Sequence, residues 1–164
     1  MDRPYNLLFL CTGNSARSIM AEAMANHLGK GRFHAYSAGS HPRGRVHPVA
    51  LQILQDAGLP TAALRSKPWD EFAGVDAPPM DLIITVCDNA AGEVCPIWPG
   101  HPATAHWGYA DPSEVQGTDA QRLEAFRQTL LAIRRRLDLL VNLPPERLDS
   151  LVLERSARDL SKAA

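Results

Sequence analysis

A chain of 164 residues makes one domain, and its 45% hydrophobic and 21% charged content is that of a globular protein able to bury a core. Seventeen Lys and Arg against eighteen Asp and Glu leave a net charge of −1, which excludes a broad basic face for nucleic acid. The three cysteines are too few for a disulfide scaffold, so each is either a buried filler or a chemical group.

Strand and helix signals alternate from the start. Tyr5–Cys11 is an apolar run that stops at the turn-forming cluster Thr12-Gly13-Asn14-Ser15. Arg17–Leu28 has helical spacing, with Ile19, Met20, Ala23, Met24 and Leu28 on one face and Gly29 as the stop. Phe33–Ser37 reads as a second strand running into Ala38-Gly39. Pro48 suits the first turn of a helix whose Val49, Ala50, Ile53, Leu54 and Ala57 form a stripe before Gly58. Leu82–Cys87 looks like a buried parallel strand, and Thr104–Trp107 like a weaker fourth. Thr118-Asp119-Ala120-Gln121 fits a capping box for a long helix carrying Leu123, Phe126, Leu130, Ile133, Leu137 and Leu140, closed by Pro144-Pro145. This order predicts an open, mostly parallel four-stranded α/β sheet with helices on both faces. Residues 1–143 are expected to form a single catalytic domain, and 144–164 a tail whose spaced leucines fit a short helix.

The apolar runs are too short to span a bilayer. The first six residues lack the charged and apolar regions of a secretory signal, so a cytoplasmic protein without membrane partners is expected.

Chemistry concentrates between Cys11 and Ser18. A cysteine ending a strand is followed by five small or polar residues and by an arginine opening a helix. Short side chains at Thr12, Gly13, Ser15 and Ala16 let backbone N–H groups turn inward as an anion-binding nest. Arg17 supplies a fork for two oxygens of a tetrahedral oxyanion, with phosphate or sulfate as mimics of the substrate. The same positive field favours the thiolate of Cys11, making it a nucleophile. Ser18 is close enough to donate to that sulfur, and Asn14 to brace the loop through its amide. Groups at the carboxyl ends of parallel strands gather at one edge, so Cys11, Ser37, Cys87 and the loop holding Asp111 should converge. Asp111, a carboxyl near an oxyanion, is the candidate general acid.

Cys11–Ser18 with Met20-Ala21-Glu22-Ala23, Tyr36-Ser37-Ala38-Gly39 and Asp111-Pro112 resembles the low-molecular-weight protein tyrosine phosphatase fold over Leu7 to about Leu140. Thr85-Val86-Cys87-Asp88-Asn89, Cys95-Pro96, His106–Pro112 and Gln116-Gly117-Thr118 are similar to the arsenate reductases built on that fold. Ser113-Glu114 stand where the phosphatase branch places tyrosines. The resemblance implies Cys11 as attacking thiolate, Arg17 and the loop amides of residues 12–18 as oxyanion cradle, and Asp111 as proton donor. It further implies that Cys87 attacks Cys11 and Cys95 attacks Cys87, leaving a disulfide for an external reductant, thioredoxin or glutathione with glutaredoxin. A mycothiol route also stays open, because the gap from Cys87 to Cys95 is one residue longer than in the thioredoxin-coupled branch. Ala16 stands where some relatives carry another cysteine.

The residues themselves leave a phosphoester phosphatase and a non-catalytic oxyanion-binding module as alternatives. None of the six histidines has metal-ligand spacing, so no metal and no bound cofactor are expected, and the chain is read as a monomer. Ser66-Lys67 falls where some relatives place groups around a potassium ion. A lysine there, near Asn14 and Ser37, is an alternative that would replace the cation with its own charge; the favoured reading places Lys67 at the surface, and Arg134-Arg135-Arg136 is expected as a solvated helix face.

Overall fold

The computed structural model describes residues 4–88 and 103–144. The chain runs β1 (Tyr5–Cys11), α1 (Arg17–Gly29), β2 (Phe33–Gly39), α2 (Pro48–Asp56), β3 (Leu82–Thr85), β4 (Ala103–His106) and α3 (Asp119–Val141), with short 3-10 turns at Trp69–Phe72 and Pro112–Glu114. The four strands are parallel in the order β2-β1-β3-β4. After β1 the chain first adds a strand on one side and then crosses to the other. The carboxyl ends of β1 and β3 therefore flank the point where the strand order reverses, which is where open α/β sheets leave a crevice.

Strand periodicity divides the core. Leu7, Phe9, Leu82 and Ile84 pack with all three α-helices on one face, whereas Leu8, Leu10, Ala38 and Ile83 meet Tyr36, Trp69, Phe72 and Met80 on the other. The long helix is fixed as its sequence implies. Thr118 accepts from Gln121 N–H at 3.1 Å while the Gln121 side chain returns to the Thr118 N–H at 2.8 Å.

Some boundaries differ from expectation. The strand Leu82–Cys87 ends at Thr85, and the fourth strand lies one residue earlier, at Ala103–His106. The helix after the loop reaches Gly29, and Lys30 takes the left-handed cap conformation (φ 48°) that the sequence assigned to glycine. Trp107 is fully buried in the main core. Arg136 is buried with its guanidinium 4.9 Å from the centre of the Tyr109 ring, so the arginine run is not uniformly solvated. Charge alone could not show that a loop aromatic would fold back over α3. Residues 145–164, which hold nearly all of the expected tail, lie outside the described residues.

Candidate active site

The loop from Cys11 to Arg17 is built by its carbonyls as much as by its amides. Backbone N–H groups of His41, Arg43 and His47 donate to the carbonyls of Thr12, Gly13 and Ser15 at 2.9, 2.9 and 2.8 Å. The segment 41–47 thus clasps the loop from outside and takes up its acceptors. At the start of α1, the N-cap residue Ala16 offers no side-chain acceptor, so the cap residue does not compete with an anion for the first-turn amides.

Asn14 holds the interior. It is fully buried with φ 44°, a left-handed conformation that asparagine tolerates better than most side chains. Its backbone N–H donates to Cys11 Sγ at 3.2 Å. Its side-chain amide donates to Ser18 Oγ at 2.7 Å and Ser37 Oγ at 3.0 Å, and its Oδ1 accepts from the Lys67 N–H at 2.9 Å. Ser18 Oγ lies 2.9 Å from Cys11 Sγ. Because Asn14 already donates to that hydroxyl oxygen, the hydroxyl hydrogen is left to point at sulfur. Cys11, a buried free thiol, therefore sits where a thiolate would accept from two donors.

Ser37 donates in turn to Glu22, whose Oε1 lies 3.6 Å from Lys67 Nζ. Lys67 also donates to the Arg65 carbonyl at 2.9 Å, and its side chain is 6% exposed, which corrects the surface placement. Burial pushes the Glu22 carboxyl up, opposed by the Lys67 charge, and pushes the Lys67 ammonium down, opposed by Glu22. Sequence reading gave Glu22 no role. The available signal was one carboxylate among the buried small and apolar residues of α1.

Gly39 is the second missed position. A Cβ there would meet the Thr12 carbonyl oxygen at 2.5 Å and the Asn14 backbone nitrogen at 3.0 Å. The end of β2 therefore approaches the loop at a distance only glycine permits.

Arg17 is 5% exposed, and donates to the Tyr109 carbonyl at 3.0 Å while its other terminal nitrogen lies 3.6 Å from Asp111 Oδ2. The ion pair draws Asp111 to the loop, and Asp111 Oδ1 accepts from the Ser113 N–H at 2.9 Å. Thr12, Gly13 and Ser15 complete the loop. Cys87 is fully buried just beyond β3 and is in a disulfide, whereas Cys11 is not. Cys95 lies outside the described residues, as do Trp98 and His101. Among the described residues, no group of three or more His, Cys, Asp or Glu is placed to hold a metal, and no helix is long and apolar enough to cross a membrane.

The sequence matches the low molecular weight phosphotyrosine protein phosphatase family over residues 6–152. The chain belongs to this family. Among family relatives, an arsenate reductase of Halalkalibacterium halodurans is 35% identical over 131 residues, spanning 80% of this chain and 91% of that one. The crystal structure of an arsenate reductase from Archaeoglobus fulgidus superposes with a TM-score of 0.69 at 31% identity, covering 84% of this chain and 99% of that one. A thioredoxin-dependent arsenate reductase of Corynebacterium glutamicum gives a TM-score of 0.57 at 26% identity, covering 84% of this chain and 64% of that one.

Proposed function

We propose that the protein reduces arsenate to arsenite. The observation that carries this reading is the placement of two cysteines after adjacent parallel strands: Cys11 inside an oxyanion loop at the end of β1, and Cys87, fully buried, just beyond β3. Phosphoester hydrolysis leaves phosphorus at one oxidation state and needs one thiol. Reduction of arsenic(V) to arsenic(III) consumes two electrons, which a second thiol supplies by forming a disulfide.

The roles follow from the site. Arg17 and the loop amides bind the oxyanion, and the Cys11 thiolate, held by Ser18 and the Asn14 N–H, attacks arsenic. Asp111 gives a proton to the departing oxygen, which leaves as water. Cys87 then attacks Cys11 Sγ, forming an S–S bond. The As–S electron pair stays on arsenic, and arsenite departs. Cys95, the remaining cysteine of the sequence, attacks Cys87 and frees Cys11 as a thiolate. A dithiol protein reductant of the thioredoxin class restores the Cys87–Cys95 pair, a choice supported by the thioredoxin-dependent relative.

The test is arsenate-dependent consumption of reduced thioredoxin by the wild type, Cys11→Ser and Cys87→Ser. Loss in both variants supports the proposal. Phosphotyrosine hydrolysis that survives Cys87→Ser, in a wild type unable to reduce arsenate, would overturn it.

A further inference from the structure

The protein carries a net charge of −1, yet the segment clasping the oxyanion loop, His41-Pro42-Arg43-Gly44-Arg45-Val46-His47, holds two arginines, two histidines and no carboxylate. Its backbone bonds to the Gly13 and Ser15 carbonyls fix the segment against the loop. The Arg43 side chain lies along Gly13: a Cβ at Gly13 would be 3.0 Å from Arg43 Nε and 3.2 Å from its Cγ. Among the described residues, no carboxylate lies within ion-pair distance of Arg43 or Arg45, both of which are exposed.

A third guanidinium joins them from α3. The His47 ring packs 4.8 Å from that of Phe126, and Arg122 stands one turn before Phe126 on the same helical face. The Arg122 Nε is buried with no hydrogen-bond partner among the described residues, and its side chain lines a cleft of about 360 Å³ between α2 and α3, with Asp119 on the same wall. His47 reports the combined field. After burial, Arg122, Arg43 and Arg45 hold its imidazolium down, with Asp111 as the opposing charge.

We infer that Arg43, with Arg45 and Arg122, forms a cationic rim that captures the doubly charged inorganic oxyanion and delivers it to Arg17 and the loop amides. The inference rests on the oxyanion-binding reading of the site and assigns the rim a role in affinity for charge, upstream of the thiol chemistry. A dianion gains twice as much as a monoanion from each nearby cation, so the rim favours the doubly charged form of the oxyanion. Gly13 is also the position that leaves space for the Arg43 stem.

Calorimetric binding of inorganic phosphate, which needs no turnover, tests the rim. Arg43→Gln should weaken phosphate binding about three- to tenfold at low ionic strength, and the gap should close at roughly 0.5 M salt, where the screening length falls to a few ångströms. Arg43→Lys should retain most of the affinity. Arg135→Gln, the same charge change at an exposed position on α3, should leave it unaltered. Wild-type affinity in Arg43→Gln, or an equal loss in Arg135→Gln, would overturn the inference. Absence of arsenate reduction by the wild type would instead overturn the proposed function and leave these binding results standing.

Discussion

Asn14 is where the fold and the proposed chemistry depend on one side chain, and Asn14→Ala is the sharpest perturbation of it. Alanine keeps the backbone N–H that faces Cys11 but removes the amide that reaches Ser18, Ser37 and the Lys67 backbone. A buried N–H left without an acceptor costs about 1–3 kcal/mol, and the two lost hydroxyl bonds, at the low end of the usual range, about 1 kcal/mol together. Alanine also has to hold a left-handed φ of 44°, at about 1 kcal/mol or more. Together these effects give about 3–5 kcal/mol, a large fraction of a typical domain's stability. Urea unfolding of the reduced protein, followed by circular dichroism, should show the midpoint fall by about 1.5–2.5 M at an ordinary slope. Asn14→Gly, which relieves the left-handed strain, should recover about 1 kcal/mol of that loss. Phosphate affinity should fall in both variants, because the loop loses its brace. A midpoint within about 0.3 M of wild type, with unchanged phosphate affinity, would refute the argument that Asn14 organises the loop.

Other positions give independent checks. Gly39→Ala places a methyl against the Thr12 carbonyl and should cost about 1–3 kcal/mol in chemical denaturation, with weakened phosphate binding; a neutral result would contradict the close approach of β2. Lys67→Met leaves Glu22 buried without its cation and should destabilise by about 3–5 kcal/mol, whereas adding Glu22→Leu should restore much of this; equal losses in single and double variants would show that the ion pair is not the cause. His47 caps α2 by accepting the Val49 N–H at its Nδ1 at 3.1 Å, which requires an unprotonated Nδ1. Burial, then Arg122, holds this imidazolium below its ordinary value of 6.5, and His106 is likewise lowered by burial. The unfolded chain therefore binds more protons as pH falls below about 6.5, so the stabilisation is full above that value and is lost on acidification. His47→Asn keeps an acceptor at the cap, so its stability should drop less than that of the wild type between pH 7.5 and 5.5; parallel losses would assign the acid sensitivity elsewhere.

Much of the site was readable because its parts are consecutive. Cys11 to Ser18 join a strand, a turn and a helix, and each residue type has a local physical reason to be there. The capping box at Thr118 and Gln121 is equally local. The meeting of Ser37 and Asp111 with the loop followed from topology, since groups after parallel strands gather at one edge. What escaped depends on contacts across the fold. Lys67 looks like a surface lysine until Glu22, 45 positions earlier, arrives beneath it. Gly39 reads as a turn glycine, and only the pairing of Cys11 with Gly39 at the end of β1 and β2 reveals the approach to Thr12. Arg136 belonged to a charged run until Tyr109 folded over it.

The central claim is that two electrons pass from protein thiols to arsenic. A thiol-state map of the fully reduced protein after one turnover with arsenate, made by peptide mass spectrometry without added reductant, tests it most directly. The account predicts one arsenite per chain, a Cys87–Cys95 disulfide and a reduced Cys11. Three reduced thiols with no arsenite formed would contradict it.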